Sequence, residues 1–126
     1  MWEHRSLIAC QKAHAAAVDL GNVARTALAT RRDLAWQLQR ASASIVLNIA
    51  EGADEIAPLQ KTQFYRIARR SAAECDAILD IMSGNIGEGF ATSRAQLLEV
   101  RVLLNGLVRR TETSNSQKPS AQGPKP

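Results

Sequence analysis

Apolar residues recur every three or four positions through four stretches of the chain, and short polar breaks separate the stretches. This spacing predicts amphipathic helices, because residues three and four apart lie on the same helix face. The predicted helices cover residues 6–28, 33–51, 58–83 and 93–110. No stretch shows the alternation that a half-buried strand requires. The sequence therefore predicts an all-α protein, an antiparallel up-down-up-down four-helix bundle with short connections between the helices.

The spacing also predicts which side chains face the core. In the first helix they are Leu7, Cys10, Ala13, Ala17, Leu20, Ala24 and Leu28. In the second they are Leu34, Leu38, Ala41, Ile45 and Ile49. In the third they are Phe64, Ile67, Ala68, Ser71, Cys75, Ile78, Leu79 and Met82. In the fourth they are Leu97, Val100, Leu104, Leu107 and Val108.

Residues with strong preferences for helix ends mark the predicted boundaries. Asp33 is expected in the first turn of the second helix or as its cap, and Gly52 is expected to end that helix. Thr92 or Ser93 is expected to cap the fourth helix. The glycine-rich segment 84–89 is expected to be a loop between the third and fourth helices, because it has neither the lysine-serine end nor the preceding strand of a phosphate-binding loop.

The end of the sequence differs in composition from the rest. Residues 112–126 have no large apolar side chain and contain three of the four prolines. Such a segment buries too little surface to offset the entropy lost on ordering. We therefore expect a bundle formed by residues 1–111, followed by a disordered polar tail over residues 112–126.

Composition says more about the cellular compartment of the protein than about its function. The net charge of +4 permits an anionic partner without requiring one. Cys10 and Cys75 lie inside helical patterns, so we interpret them as buried thiols of a reducing compartment rather than as a disulfide. No apolar run has the roughly 18 residues of a membrane span. The first residues do not resemble a signal peptide, and the expected location is therefore the cytoplasm.

Four segments of the chain resemble one known family. Residues 40–52 read R-A-S-A-S-I-V-L-N-I-A-E-G, which resembles the R-A-x-x-S-I-x-x-N-I-A-E-G signature of the four helix bundle proteins, also called 23S rRNA intervening-sequence proteins. Residues 11–14, 64–74 and 103–108 resemble other segments of the family in the same order. The resemblance covers about residues 7–109 and is most specific at N-I-A-E-G.

The resemblance implies properties that the residues alone do not. It implies an antiparallel four-helix bundle that assembles into a ring-like homopentamer, with no enzymatic activity and no cofactor. Relatives are encoded within intervening sequences of 23S rRNA genes. A related branch is the accessory variability determinant of diversity-generating retroelements, whose basic pentamer binds reverse transcriptase and RNA. These are the RNA and protein partners that the resemblance suggests for this chain.

One group of polar side chains adjoins the apolar faces of the second and third helices. Its members are Arg40, Ser44, Asn48, Glu51, Ser71 and Glu74. One interpretation is a carboxylate pair for acid-base or metal chemistry. The other is a set of hydrogen bonds between helices that fixes their register, with Arg40 as a counter-charge, because buried polar groups need partners. The E-x-x-H motif of carboxylate-bridged metal bundles is absent, and His4 and His14 are not spaced as ligands of one metal ion.

A second group consists of arginines on outward faces. Arg66, Arg69 and Arg70 lie on the third helix, and Arg94, Arg101 and Arg109 fall within about 80° of one another on the wheel of the fourth. Leu98 and Val102 point outward beside the second set. Arginines beside exposed apolar residues are typical of a nucleic-acid or protein-partner surface, although an ordinary solvated face has a similar pattern.

Two hypotheses of function follow, since no Ser/His/Asp set or other catalytic motif is present. The first is a non-enzymatic, homo-oligomeric accessory protein that associates with RNA. The second is a purely structural or protein-interaction module that does not bind nucleic acid.

Overall fold

The computed structural model describes residues 2–117, and within them it contains helices and turns but no strand. The four helices are α1 (His4–Ala27), α2 (Arg32–Asp54), α3 (Pro58–Ser83) and α4 (Ala91–Gln117). The all-α prediction is therefore confirmed, and each predicted helix is present. Asp33 lies in the first turn of α2 as expected. Helix α4 begins at Ala91, slightly before the Thr92 or Ser93 cap that was expected.

Contacts between helices define how the bundle is arranged. Each helix packs against the one before and the one after it, and α1 also packs against α4. Along α3 and α4, Thr62 contacts Thr111 at 2.6 Å whereas Asp80 contacts Arg94 at 2.8 Å. Partner numbers thus fall on one helix as they rise on the other, which is an antiparallel pairing. Helices α2 and α4 consequently occupy opposite corners of the bundle.

The core faces of α2 and α4 are the ones that the spacing predicts. All five predicted inward residues of α2 and all five of α4 are buried. Leu98 and Val102 are 62% and 59% exposed, as their outward placement predicts. In both helices the large aliphatic side chains are most frequent on the side that is buried, which is why the spacing predicts these inward residues correctly.

The core face of α1 matches the prediction only in part: Ala13, Leu20 and Ala24 are buried as expected, whereas Cys10 and Ala17 are half-buried. Its buried side chains are Ser6, Ala9, Ala13, Ala16, Leu20 and Ala24. Leu7 and Leu28, which were expected in the core, are 42% and 40% exposed. Alanines occur on several sides of α1, so the three-four spacing also fits a neighbouring face. The small side chains of the face that is buried let α1 approach the other helices closely.

In α3 the prediction misplaced the aromatic side chains. Tyr65 is 1% exposed, whereas Phe64 and Ile67, which were expected inside, are only half-buried. The Tyr65 hydroxyl lies 3.0 Å from the Ser6 hydroxyl of α1, so its polar atom has a partner inside the bundle. A buried tyrosine requires such a partner, and the spacing of apolar residues does not reveal it.

Gly52 does not end α2, contrary to the prediction. The helix continues to Asp54, and Gly52 is buried against the ring of Tyr65. A Cβ atom on Gly52 would lie 2.6 Å from Cε1 of Tyr65. The Lys61 ammonium donates hydrogen bonds to the carbonyls of Gly52 and Ala53 at 2.7 and 3.2 Å. Glycine is therefore required here by a close approach, and Lys61 satisfies carbonyls at the helix end.

Helix α4 extends beyond its predicted end and into the segment expected to be a polar tail. Thr111 is buried and accepts a hydrogen bond from Thr62, while Glu112 pairs with Arg66 of α3. These tertiary contacts hold the start of a segment whose composition alone favours no helix. Residues 118–126 of the expected tail lie outside the residues that the structure describes.

Candidate nucleic-acid interface

Three members of the predicted polar group meet between α2 and α3. The hydroxyls of Ser44 and Ser71 lie 2.8 Å apart, which links the two helices. The Asn48 amide donates to the backbone carbonyl and the hydroxyl of Ser44, at 2.8 and 3.0 Å. Asn48 thus acts within α2 by holding Ser44, and the Ser44–Ser71 contact is the one that joins the helices.

The charged members of the same group are not brought to this contact. Arg40, Glu51 and Glu74 are exposed, and within residues 2–117 they form no hydrogen bond or ion pair. The structure therefore supplies no carboxylate pair beside Ser44 and Ser71. In the same part of the chain, no three His, Cys, Asp or Glu side chains come together in a way that could hold a metal ion.

Arg94 is surrounded by acceptors at the end of the bundle where α3 connects to α4. Its guanidinium contacts Asp80 at 2.8 Å and donates to the carbonyls of Gly89 and Glu88 at 2.7 and 2.9 Å. Asp80 also accepts the backbone N–H of Gly87 at 2.9 Å. Segment 84–89 is a loop, as predicted, and both Arg94 and Asp80 form hydrogen bonds with its backbone. These contacts make Arg94 a structural residue.

The same contacts lower the pKa of the Asp80 carboxyl below its ordinary value of 3.8, because the Gly87 N–H and Arg94 favour the charged form. The stabilisation is fully present above the ordinary value and is lost as the pH falls through the lowered one. We expect wild type to be more stable than Asp80→Asn near neutral pH, with a difference that shrinks below about pH 4. Urea denaturation of both proteins from pH 7 to pH 2 measures it. A difference that is independent of pH would contradict it.

Contacts between α3 and α4 bring members of the two predicted arginine sets onto one surface. Arg69 donates to Asn105 at 3.1 Å, and Arg66 pairs with Glu112. Arg101 pairs with Asp76 at 3.0 Å. Arg70 and Arg109 are exposed and have no hydrogen bond or ion pair to any described residue. Basic charge on this surface is therefore concentrated toward the beginning of α3, since Asp76 and Asp80 neutralise the other end.

We call Arg66, Arg69 and Arg70 the basic patch. Together with Gln63 and Ile67 they line a shallow surface groove of about 450 Å³. Only one carboxylate, Glu112, pairs with the three guanidinium groups. Each guanidinium is a planar fork that can donate two hydrogen bonds to a phosphate. This groove is the part of the described surface where the predicted arginines are the most available to an anion.

Sequence reasoning identified the arginines, and it predicts that acidic residues dilute the basic face of the third helix, but it did not pair those residues with arginines of the fourth. Asp76 and Asp80 are four residues apart on α3, and they contact Arg101 and Arg94 of α4. The signal was present, because acidic residues on one helix can pair with arginines on the antiparallel helix that packs beside it. It could be used only once the register between α3 and α4 was known.

The two cysteines are unpaired. Cys75 is buried and Cys10 is half-buried. Burial, together with the nearby charges of Glu74 and Asp76, raises the pKa of the Cys75 thiol to about 12. Burial also raises the pKa of Cys10. Because the thiolate is the reactive form, both thiols are poor nucleophiles at neutral pH.

Within the described residues, no helix is apolar over enough length to cross a membrane.

Comparison with protein families identifies the chain's relatives. The model of the family described as 23S rRNA-intervening sequence protein matches residues 5–105. The chain belongs to this family. No curated protein and no solved structure matches it. The family match includes the basic patch and the Ser44–Ser71 contact, whereas Arg109 and the contacts of Thr111 lie beyond it.

Proposed function

We propose that this 23S rRNA-intervening sequence protein is a non-enzymatic, homo-oligomeric accessory factor that associates with RNA through the basic patch. The observation that carries the proposal is the match to this family over residues 5–105, which includes Arg66, Arg69 and Arg70. The position of these arginines on α3, where Arg66 and Arg70 are exposed and Arg69 is half-buried, supports the same function, because phosphate contacts supply most of the affinity in binding that does not depend on sequence. A reducing compartment, the cytoplasm, suits the two unpaired thiols.

Assembly of several copies is part of the proposal because one copy offers few phosphate contacts. Repeating the patch within an assembly raises the effective concentration of every further contact. Exposed apolar side chains support self-association: Trp36, Leu47, Leu98 and Val102 are each about 60% exposed, at 60%, 63%, 62% and 59%. The family resemblance suggests a pentamer. Light scattering on the full chain at tens of micromolar tests whether it assembles.

We expect the variant Arg66→Gln/Arg69→Gln/Arg70→Gln to bind structured RNA at least about tenfold more weakly than wild type at low salt, since three phosphate contacts are lost. Each lost contact should also flatten the dependence of affinity on salt. Fluorescence anisotropy with an rRNA fragment over a series of salt concentrations measures both effects.

The matched control is Arg25→Gln/Arg31→Gln/Arg32→Gln, which removes the same charge at and beside the connection between α1 and α2. This control should keep near-wild-type affinity. Equal weakening in both variants would mean that total charge, and not the basic patch, determines binding. No binding by wild type at low salt would reject association with RNA.

A protein-interaction module without RNA binding is the second candidate. The observation that favours it is the pairing of Arg94 and Arg101 with Asp76 and Asp80, which leaves that end of the surface close to neutral. Aromatic side chains that could stack on bases are also scarce, at 4% of the chain. A protein such as a reverse transcriptase would then be the partner, and co-purification with an adjacent gene product would distinguish the two candidates.

A further inference from the structure

Two unpartnered apolar rows lie on opposite corners of the bundle. The α2 row consists of Trp36, Ala43 and Leu47, and the α4 row consists of Ala95, Leu98, Val102 and Gly106. The α4 members recur at spacings of three and four, whereas in the α2 row Trp36 precedes Ala43 by two turns with the exposed Arg40 between them; all members lie outward of the buried face. Because α2 and α4 do not pack against each other, neither row is covered within one chain.

Contacts through α3 place the two rows at the same height. Ser44 of α2 contacts Ser71, and Arg69, half a turn away on α3, contacts Asn105 of α4. Since α3 and α4 are antiparallel, Ser71, two residues after Arg69, lies level with Leu103, two residues before Asn105. Ser44 therefore lies level with Leu103 too. Helices α2 and α4 run in the same direction, so Ala43 lies level with Val102, Leu47 with Gly106, and Trp36 with Ala95.

The rows are complementary in side-chain size at each of these levels. Where α2 has the large Trp36, α4 has the small Ala95. Where α2 has the small Ala43, α4 has Val102. Leu47 is level with Gly106, around which the space that a Cβ atom would occupy is open. Large residues facing small ones let two helices approach closely, and such close packing is required of a stable interface.

The charges near the end of the rows are complementary too. Glu51 of α2 and Arg109 of α4 are exposed, differ by about one residue in height, and have no partner within residues 2–117. On helical wheels each of the two residues is displaced from its own row toward the side of the bundle where α3 lies. A second copy placed beside the first, by rotation about an axis parallel to the helices, would bring them together.

From these observations we infer that the α2 row of one copy packs against the α4 row of a second copy of this chain, with Glu51 pairing with Arg109 across the contact. The inference rests on the self-association proposed above and specifies its surface. Two different surfaces at opposite corners form a heterologous contact, which propagates from copy to copy and gives a ring where the rotation between neighbouring copies closes. Arg109 therefore belongs to the subunit contact, whereas the basic patch stays free for RNA.

The test uses the full chain and measures mass by light scattering after gel filtration. Leu47→Glu removes the α2 row and Leu98→Glu removes the α4 row, so each variant alone should be monomeric. An equimolar mixture should form a dimer of one copy of each, because one intact α2 row meets one intact α4 row and neither remaining surface can continue the assembly. Ile81→Glu on α3, at a side chain that is 54% exposed, is the control and should assemble like wild type.

Charge exchange tests the ion pair separately. Glu51→Arg and Arg109→Glu should each weaken assembly about tenfold, and the double variant should recover most of the loss. A monomeric wild type would reject self-association itself. If wild type assembles and Leu47→Glu and Leu98→Glu do too, self-association stands and the proposed rows are wrong. A Leu47→Glu variant that stops at a dimer would show that the α4 row pairs with itself, which also overturns the inference.

Discussion

Gly52→Ala is expected to lower the free energy of unfolding by about 1–2 kcal/mol, although alanine is the better helix former. The added Cβ atom would lie 2.6 and 2.8 Å from two ring carbons of Tyr65, closer than nonbonded carbon atoms approach. The ring is buried and its hydroxyl is held by Ser6, so it cannot move without losing that hydrogen bond. Overpacking of this kind costs about 1–3 kcal/mol. The gain in helix propensity, about 1 kcal/mol, offsets only part of that cost.

Gly21→Ala is the matched control, since Gly21 also lies inside a helix but a Cβ atom there meets nothing within 4 Å. Chemical denaturation should show that Gly21→Ala raises the unfolding free energy by up to about 1 kcal/mol, opposite in sign to Gly52→Ala. Combining Gly52→Ala with Tyr65→Leu should cost less than the sum of the two single changes, because the smaller side chain removes the clash. If both alanine variants were stabilised alike, the approach of Tyr65 would not be what requires glycine.

This pair of glycines shows where sequence reasoning about the fold reaches its limit. In α2 and α4 large aliphatic residues mark the inward side, and every residue predicted there is buried, although small and polar residues such as Ser42 and Thr111 are buried as well. The pattern of α1 offers mostly alanines, which occupy either face at little cost, and there the prediction was confirmed for Ala13, Leu20 and Ala24 but wrong for Leu7 and Leu28. Gly52 was taken as a helix end because glycine commonly ends helices. Its actual role depends on Tyr65, which is distant in sequence and was not among the predicted core residues.

The candidate site, too, could be predicted from the sequence only in part. The outward placement of the arginines follows from helical spacing alone, and the structure agrees with it for Arg70 and Arg109. Whether an outward arginine is available to a partner depends on the neighbouring helix, and no single helix pattern contains that information. Arg94 and Arg101 belong to the predicted surface by angle, yet the register of α3 against α4 gives them to Asp80 and Asp76. In the polar group, the register of α2 against α3 brings Ser44 and Ser71 together and leaves Glu51 and Glu74 in solvent.

Leu20→Ala is expected to have the largest effect on stability of the changes considered, at about 2–5 kcal/mol. Leu20 is fully buried, and the other fully buried side chains of α1 are alanines and one serine. Leu20 is therefore the largest side chain that α1 buries fully in the core. Its loss leaves a cavity that the neighbouring alanines cannot fill. Val18→Ala, two residues away at a side chain that is 53% exposed, should change the free energy by no more than about 0.5 kcal/mol.

Hydrogen exchange shows which helix loses stability, and the global free energy of unfolding does not. Because the remaining contacts of α1 are small or polar, Leu20→Ala should raise exchange in α1 more than in α2 and α3, whose core faces keep their large side chains. Three polar contacts tie α1 and the residue before it to α4, and they are Glu3–Arg110, Lys12–Glu99 and Asp19–Gln96. Two of these are ion pairs between half-exposed side chains, which contribute little to stability. A cost for Leu20→Ala no greater than that for Val18→Ala would mean that these contacts, and not core packing, hold α1 to the bundle.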